Sequence, residues 1–324
     1  MNRRHFLSTV AAAAAVTSPW ARAQGQYPDQ PVKWVVPYPA GGGTDNLARA
    51  IAEGMRAGLG QSIVIDNRPG AATNIGAELV ARARPDGYTI MSADNALMFL
   101  NEHLFKKLPF SPEKDFSYIG GIGRFPLALV VHPSFPAQDF RQLLAYVRAN
   151  PGKTSYASVG LGSPHHLAME LFKNRTQSFI THIPYRGAAP AMQDVMGGQV
   201  PMMFLDLASG LSVIQSGKVR ALAIGSPQRS AVLPNVPTLA EMGVKDAEVF
   251  AVQGVVGPAG LPAPVVGRLN QELNKALADP AVLSRFTGFG FEPIRVSPEQ
   301  FKAMMRDEAR RWGPVIRAAN VTLD

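Results

Sequence analysis

Short apolar runs rich in β-branched residues alternate with longer amphipathic segments along most of the chain. The apolar runs have the length of buried strands, and the longer segments repeat their apolar positions at the period of a helix packed on one face. Parallel strands need a crossover between them, which is usually a helix. The alternation therefore predicts an α/β fold with largely parallel sheets.

The joints between these segments are rich in turn residues, since the chain has 30 glycines and 27 prolines. The predicted strands are Val32–Pro37, Ile63–Asp66, Thr89–Ser92, Leu127–His132, Thr154–Ser158, Ile180–Pro184, Val200–Leu205 and Val219–Gly225. The predicted helices are Asp45–Leu59, Asn74–Ala83, Phe140–Asn150, His165–Lys173, Ala188–Met196, Leu207–Ser216, Ala263–Ala278, Ala281–Phe286 and Pro298–Ala319. Open α/β sheets bind ligands at the carboxyl ends of their strands, so we expect the site in the strand-end loops.

The first residues have the features of an export signal. Arg3 and Arg4 precede an apolar run from Phe6 to Val16, and the small-x-small tripeptide Ala21-Arg22-Ala23 follows. That run is much shorter than the roughly 20 residues of a membrane-spanning helix. We predict that residues 1–23 form a cleaved signal peptide and that the mature chain is periplasmic. The arginine pair favours the twin-arginine route, although the general secretory route also accepts a basic segment.

Charge and cysteine content narrow the classes of function. The signal peptide carries three of the 32 basic residues, which leaves 29 against 24 acidic residues in the mature chain. The basic residues are scattered and do not cluster with aromatic residues, so no nucleic-acid partner is expected. The absence of cysteine excludes disulfides, thiol catalysis and cysteine metal sites.

A loop with three consecutive glycines follows the first predicted strand. Its candidate ligand-binding residues are Tyr38, Ala40, Gly41, Gly42, Gly43 and Asp45. Glycine amides can point inward and the helix start adds the positive end of its dipole, so the loop can hold an anion without a basic side chain. It does not match the dinucleotide fingerprint, because Asn46 stands where the third glycine belongs. The alternative is a tight turn with Thr44 or Asp45 as an ordinary helix cap.

A second glycine loop lies between the strand that ends at Ser158 and the next helix. Its candidate residues are Gly160, Gly162, Ser163 and His166. Two such loops facing each other would form a two-sided anion clamp. Ser163 beside His165 raises an alternative, an exported hydrolase or isomerase, yet the Gly-x-Ser-x-Gly elbow is missing and no acid is identifiable for the histidine. His166 and Glu170 indicate a helix-surface pair more than a metal site, because no third ligand is recognisable. No metal or other cofactor is expected.

Two further strand ends carry candidate residues. Tyr185 and Gly187 flank Arg186 after the predicted strand Ile180–Pro184, and Arg186 either contacts an anion or is solvated. Asp206 lies at the end of the apolar run Met202–Leu205. It either caps the next helix or binds donor groups of a ligand.

Taken together, the motifs of this chain resemble the Bug family, the TctC-type receptors of tripartite tricarboxylate transporters. The motifs that carry the resemblance are Val35–Asp45, Asn67–Ala71, Pro85–Thr89, Gly160–Ser163, Pro184–Gly187, Gly197–Val200, Gly217–Ala223 and Pro234–Thr238. Their order and number make the resemblance specific, and it covers essentially the whole mature chain.

The resemblance implies a type II periplasmic-binding fold, with two α/β lobes joined by two crossover strands and a ligand cleft between them. We expect residues 27–130 and 226–324 in the first lobe and residues 131–225 in the second. The family pattern adds Thr73, Asn74, Asp94 and Asn95 to the candidate ligand-binding residues. It implies a monomeric receptor, not an enzyme, that closes on a small organic acid and delivers it to a membrane permease. A signalling sensor is the alternative partner.

Three places depart from the usual family pattern and leave the identity of the ligand open. Ala72-Thr73 replace the commoner Gly-Gly, Ser92–Asn95 replace a run of small and hydroxyl residues, and Val252-Gln253 stand where an aromatic residue is frequent. If Asp94 faced the cleft with the other acids, a monocarboxylate or a donor-bearing acid would be preferred over a di- or tricarboxylate. The alternative is that Asp94 caps the helix near Ala96.

Overall fold

The computed structural model describes residues 27–41 and 43–323, so the predicted signal peptide and Gly42 lie outside the described residues. The strands are β1 Val32–Val36, β2 Ile63–Asn67, β3 Thr89–Asp94, β4 Phe116–Val131, β5 Ser155–Ser158, β6 Thr181–Pro184, β7 Met202–Asp206, β8 Arg220–Ile224, β9 Phe250–Pro258 and β10 Glu292–Pro293. The helices are α1 Gly43–Leu59, α2 Asn74–Ala81, α3 Asn101–Leu104, α4 Phe140–Ala149, α5 Pro164–Thr176, α6 Ala188–Met196, α7 Leu207–Gln215, α8 Ala263–Ala276, α9 Pro280–Thr287 and α10 Pro298–Ala319. A 3-10 turn at Ala71–Thr73 precedes α2, and a π-helical turn at Ala96–Leu100 precedes α3.

The strands form two sheets, and the two sheets arrange their strands in the same pattern. The first sheet runs β2-β1-β3-β9-β4, with β10 also paired to β4, and β9 is antiparallel to its neighbours. The second runs β6-β5-β7-β4-β8, and here β4 is the antiparallel strand. Apart from the two-residue β10, which is also antiparallel to β4, each sheet thus has one strand inserted against the direction of the others. This arrangement confirms the predicted type II periplasmic-binding fold of two α/β lobes.

The chain crosses between the sheets twice. In β4, residues 116–126 pair with β9 in the first sheet, whereas residues 127–131 pair with β7 and β8 in the second. The chain returns between β8 and β9, where the amide of Val249 donates to the carbonyl of Gly225 at 2.8 Å and the amide of Leu127 donates to the carbonyl of Val249 at 3.1 Å. The two crossings therefore lie side by side. The predicted lobe boundaries fall within or beside them and stay a prediction.

The helices cover the sheets with one apolar face each. Leu47, Ile51 and Met55 recur one turn apart along α1 and are buried with Leu269 and Leu273 of α8 against the first sheet. In the second lobe, α6 and α7 bury their apolar residues against β7 and β8. This packing fixes the start of α1, and with it one wall of the space between the lobes.

The first half of β4 and all of β9 were missed by the sequence prediction. Glycines interrupt the apolar pattern of both strands, and close packing explains why they are there. A Cβ atom at Gly121 would lie 2.4 Å from Ile294 Cγ2, and one at Gly254 would lie 2.3 Å from Phe301 Cζ. Side chains from other elements thus occupy the space that a side chain on these strands would need.

No helix within the described part of the chain combines the length and apolar character that crossing a bilayer requires.

Candidate functional site

A cavity of about 840 Å³ lies where the two lobes face each other. One wall comes from Tyr38 and the start of α1, and the opposite wall from Ala188 and the start of α7, including Asp206 and Ser209. The crossing strands supply Phe125, Ala251 and Gln253, and the α9 region supplies Arg285, Phe286 and Phe289. Its volume is within the usual range for small-molecule sites.

The start of α1 gives the cavity an anion-attracting wall. Gly43, Thr44 and Asn46 line the cavity in the first turn of this 17-residue helix. Amides in a first helical turn have no partner within the helix, and the helix dipole is positive at this end. A Cβ atom at Gly43 would have no heavy atom within 4 Å, so the backbone here is open to a ligand.

Asp45 is buried inside the same loop and does not form part of the cavity wall. Its carboxylate accepts hydrogen bonds from the Gly41 amide at 2.8 Å, Arg49 Nε at 2.9 Å and Asn67 Nδ2 at 2.9 Å. The hydrogen bond from Arg49 lowers the pKa of Asp45 to about 2. Asp45 therefore fixes the loop and forms an ion pair with Arg49. Ala40 and Gly41 lie on the exposed turn before the helix.

Asp94 is buried beside Tyr38, which lines the cavity. The Tyr38 hydroxyl donates to Asp94 Oδ2, and the Leu97 amide donates to Asp94 Oδ1 at 3.3 Å. Burial raises the pKa of both Asp94 and Tyr38. Asp94 thus caps the π-helical turn that follows β3, as the second of the two alternatives had it, and is not part of the cavity wall.

The neighbouring residues Thr73, Asn74 and Asn95 are buried in loop-to-loop contacts. Asn74 Oδ1 accepts from Asn101 Nδ2 at 2.8 Å. Asn95 Nδ2 donates to the carbonyl of Phe250 at 2.9 Å, and Asn95 Oδ1 accepts from the Val252 amide at 2.6 Å. Thr73 has a positive φ of 77° and its buried hydroxyl has no hydrogen-bond partner among the described residues. None of the three forms part of the cavity wall.

The second glycine loop is closed by its own hydrogen bonds. Ser163 Oγ donates to the carbonyl of Gly160 at 2.7 Å and caps α5 by accepting from the His166 amide. The Gly162 amide donates to His166 Nδ1 at 3.0 Å. The His166 ring stacks on His182 with centroids 3.9 Å apart, and burial lowers the pKa of His166 to about 3. These residues shape the loop beside the cavity without lining it.

Asp206 lies on the cavity wall and caps α7. Its carboxylate accepts from the Ser209 amide at 2.9 Å and Ser209 Oγ at 2.7 Å, and pairs with His165 Nε2 at 3.1 Å. Burial alone would raise the pKa of Asp206, but these partners hold it below its usual value. Both readings of Asp206 made from the sequence, a helix cap and a cavity residue, thus describe the same side chain.

Ser163 and His165, the residues of the hydrolase alternative, are not hydrogen-bonded to each other. A nucleophilic serine needs a hydrogen bond to a histidine that an acid orients. His165 does have an acid partner, Asp206, which the sequence did not reveal, but Ser163 donates to Gly160 instead of His165. Ser209 hydrogen-bonds to the acid and not to the histidine.

Tyr185 and Gly187 hold the third loop against the second. Tyr185 Oη donates to Asp194 at 2.6 Å, burial raises the pKa of Tyr185 to about 12, and the Gly187 amide donates to the carbonyl of Val159 at 3.2 Å. Neither residue lines the cavity, although Ala188 beside them does. Of the candidate residues, the cavity wall includes Tyr38, Gly43 and Asp206; the ligand-binding roles of the whole set stay a prediction.

Sequence reasoning missed the part of the cavity that comes from distant segments. Arg285, Phe286 and Phe289 lie more than 200 residues from β1. Gln253 lies on a strand that was not predicted, although the family pattern marked Val252-Gln253 as a departure that bears on the ligand. One local signal in the sequence pointed to this region. Phe289 stands between two glycines, which is typical of an aromatic residue in an exposed turn. Within the described residues, no group of three or more histidine or acidic residues is arranged to hold a metal ion.

Comparison with known proteins gives one family. The model of the family described as tripartite tricarboxylate transporter family receptor matches residues 47–321. A UPF0065 protein from the tcbD-tcbE intergenic region of Pseudomonas sp. strain P51 is 38% identical over 317 residues, which cover 98% of this chain and 94% of that protein. Protein BugT of Bordetella pertussis is 35% identical over 319 residues, which cover 98% of this chain and 96% of BugT.

Solved structures agree with this result. The R. palustris protein Rpa4515, determined with adipate, has a TM-score of 0.82 and 34% identity, with 91% of this chain and 99% of that chain covered. MatC from Rhodopseudomonas palustris, determined with bound malate, has a TM-score of 0.78 and 32% identity. The match covers 90% of this chain and 100% of that chain.

Proposed function

This chain belongs to the tripartite tricarboxylate transporter receptor family, of the Bug type, and from that premise we propose that it captures a small organic acid and delivers it to a tripartite tricarboxylate-type permease. The proposal includes a periplasmic, monomeric, non-enzymatic receptor formed after removal of residues 1–23. The family consists of periplasmic solute-binding receptors, which supports the compartment and the class of ligand.

The observation that carries the proposal is the position of the cavity between two helix starts. The first turn of α1 lies on the wall from one lobe, and the first turn of α7 lies on the wall from the other. The start of α1 can attract a carboxylate through its amides and the helix dipole, whereas Asp206 already caps the start of α7 and offers the ligand a polar wall. Relatives with 32–34% identity have been determined with adipate and malate, which are both organic acids.

Closure follows from where the ligand would bind. A ligand in contact with both walls gains contacts only when the lobes approach each other, so it shifts the population toward the closed state by its differential affinity. The two backbone crossings lie side by side at Leu127 and Val249, and we expect the lobes to turn about them. A closed, loaded form distinct from the open form is what a permease can recognise.

A thermal-shift screen of organic acids against the mature protein tests the proposal. A ligand at 100 times its dissociation constant stabilises the folded state by about 2.7 kcal/mol, which is readily measured. We expect at least one acid to raise the melting temperature without being consumed. A screen that includes adipate, malate and aromatic acids and gives no shift would overturn the proposal, and turnover of the stabilising acid would show an enzyme.

A further inference from the structure

Gln253 lies on the cavity wall in the middle of β9. Its backbone pairs with Asp94 of β3 on one side and with Gly123 of β4 on the other. Side chains alternate along a strand, so Gln253 shares a face with Ala251, which also lines the cavity. Ala251 pairs across the sheet with Phe125, a third wall residue.

The side-chain amide of Gln253 has no hydrogen-bond partner in the part of the chain that the structure describes. Its oxygen is buried, and neither end of the amide hydrogen-bonds to another residue among 27–41 and 43–323. Rotation of the amide by 180° exchanges the oxygen and the nitrogen, so the side chain can present either an acceptor or a donor. A buried polar group without a partner destabilises the folded protein, and native proteins contain few of them.

The surroundings of Gln253 supply apolar surface instead of partners. A Cβ atom at Gly123, its cross-strand neighbour, would lie 2.2 Å from the Phe291 ring, so that ring fills the adjacent space. Phe291 packs on Phe125 and Phe286 with ring centroids 5.2 and 5.8 Å apart. Phe125, Phe286 and the half-exposed Phe289 all line the cavity with Gln253.

We propose that Gln253 determines specificity by hydrogen-bonding a polar substituent on an apolar ligand. The ligand is a carboxylic acid whose ring or alkyl chain packs against Phe125, Phe286 and Phe289 and carries a hydroxyl or amide group that reaches Gln253. The inference rests on the proposed function, in which the start of α1 holds the carboxylate. A site with an unpaired polar group in apolar surroundings rejects ligands that lack the matching group far more strongly than it rejects a change in ligand size.

Matched pairs of acids test this assignment by calorimetry. The probes are benzoate with 4-hydroxybenzoate and hexanoate with 6-hydroxyhexanoate. The variants are Gln253→Leu and, as a control, Gln215→Leu at an exposed position near the end of α7. We expect wild type and the control to bind the hydroxylated member of at least one pair about tenfold or more tightly than its partner. Gln253→Leu should reduce that ratio to about threefold or less.

The ligand-free proteins provide a second readout. Because Gln253→Leu removes an unpaired polar group and leaves an apolar side chain in apolar surroundings, its melting temperature should rise by about 2 °C while its preference for the hydroxylated acid falls. If leucine lowers the melting temperature, the unbranched Gln253→Met replaces it in the same measurements. An unchanged preference in a folded Gln253 variant, or no preference in wild type that binds these acids, would overturn the inference. Failure of every organic acid to bind would overturn the proposed function itself.

Discussion

The hydroxyl of Tyr38 donates a hydrogen bond to the buried carboxylate of Asp94. Tyr38 lines the cavity, whereas Asp94 sits behind it and uses its other oxygen to cap the turn after β3. The carboxylate of Asp94 therefore positions a cavity residue and does not form part of the cavity wall. Since Asp45 is also enclosed by its own partners, Asp206 is the acid on this part of the described wall.

Replacing Asp94 should therefore leave ligand selectivity unchanged. The Asp94→Asn variant keeps an acceptor for the Leu97 amide but weakens the contact with Tyr38, so we expect a loss of about 1 kcal/mol in the free energy of unfolding. The ratio of affinities for hexanoate and adipate should stay within about threefold of wild type. A tenfold gain for adipate by calorimetry would instead place Asp94 against the ligand.

A side chain at Gly43 should block the approach to the α1 amides. A Cβ atom there has no heavy atom within 4 Å and the residue does not have a positive φ, so Gly43→Val should fold normally. We expect its affinity for any acid found in the screen to fall more than about tenfold, because the valine occupies the space in front of the helix start. Gly267→Val on the exposed face of α8, which also has open space, is the matched control and should bind like wild type. Equal binding by both variants would place the carboxylate elsewhere.

His166 should make the protein less stable in mild acid. Burial lowers its pKa from 6.5 to about 3, so below pH 6.5 the unfolded state binds a proton that the folded state does not. The free energy of unfolding therefore falls as the pH drops from 6.5 toward 3, by about 2 kcal/mol at pH 5 from this residue. In urea titrations at several pH values, His166→Phe should show a shallower dependence, and the control His132→Phe should match wild type. Parallel curves for wild type and His166→Phe would show that the pKa of His166 is the same in the folded and unfolded states, which would contradict this prediction.

Arg285 should attract anions to the cavity from its rim. It is exposed, lines the cavity and forms no ion pair or hydrogen bond with any described residue. We expect Arg285→Ala to weaken binding of any acid found in the screen about threefold at low ionic strength, and the difference should vanish at about 0.5 M salt because exposed charges are screened. Arg68→Ala is the control. Arg68 does not line the cavity, and its Nε forms an ion pair with Asp66 Oδ1 at 3.0 Å. An effect of Arg285→Ala that is independent of salt would indicate direct, desolvated contact.

The sequence predicted the elements whose signals are local. Strand β1 and helix α1 follow from one apolar run, one turn and one amphipathic stripe, and the structure places both within two residues of the prediction. Strand β9 has no such signal, because Gly254 and Gly257 interrupt its apolar pattern. Phe301 of α10 packs where a side chain at Gly254 would lie, and Leu261, before α8, packs where one at Gly257 would lie. Local patterning cannot show which distant side chain will fill that space.

The candidate site divides in the same way. Loop residues near Tyr38 and Asp206 were found because glycines, caps and strand ends are adjacent in sequence. Gln253, Arg285 and Phe289 reach the cavity only through the packing of β9 and α9, so no spacing within the chain places them there. The pairing of His165 with Asp206 likewise joins the starts of α5 and α7 across a separation of 41 residues.

Hydrogen–deuterium exchange with and without a stabilising acid tests most directly whether the ligand is held between the lobes. With the acid bound, amides at the start of α1, near Gly43, and at the start of α7, near Ser209, should exchange more slowly together, because a single ligand contacts both walls. The C-terminal half of α8, none of which lines the cavity, should show no change and serves as the internal reference. Protection confined to one lobe, or absent from both helix starts while the acid stabilises the protein, would contradict the account.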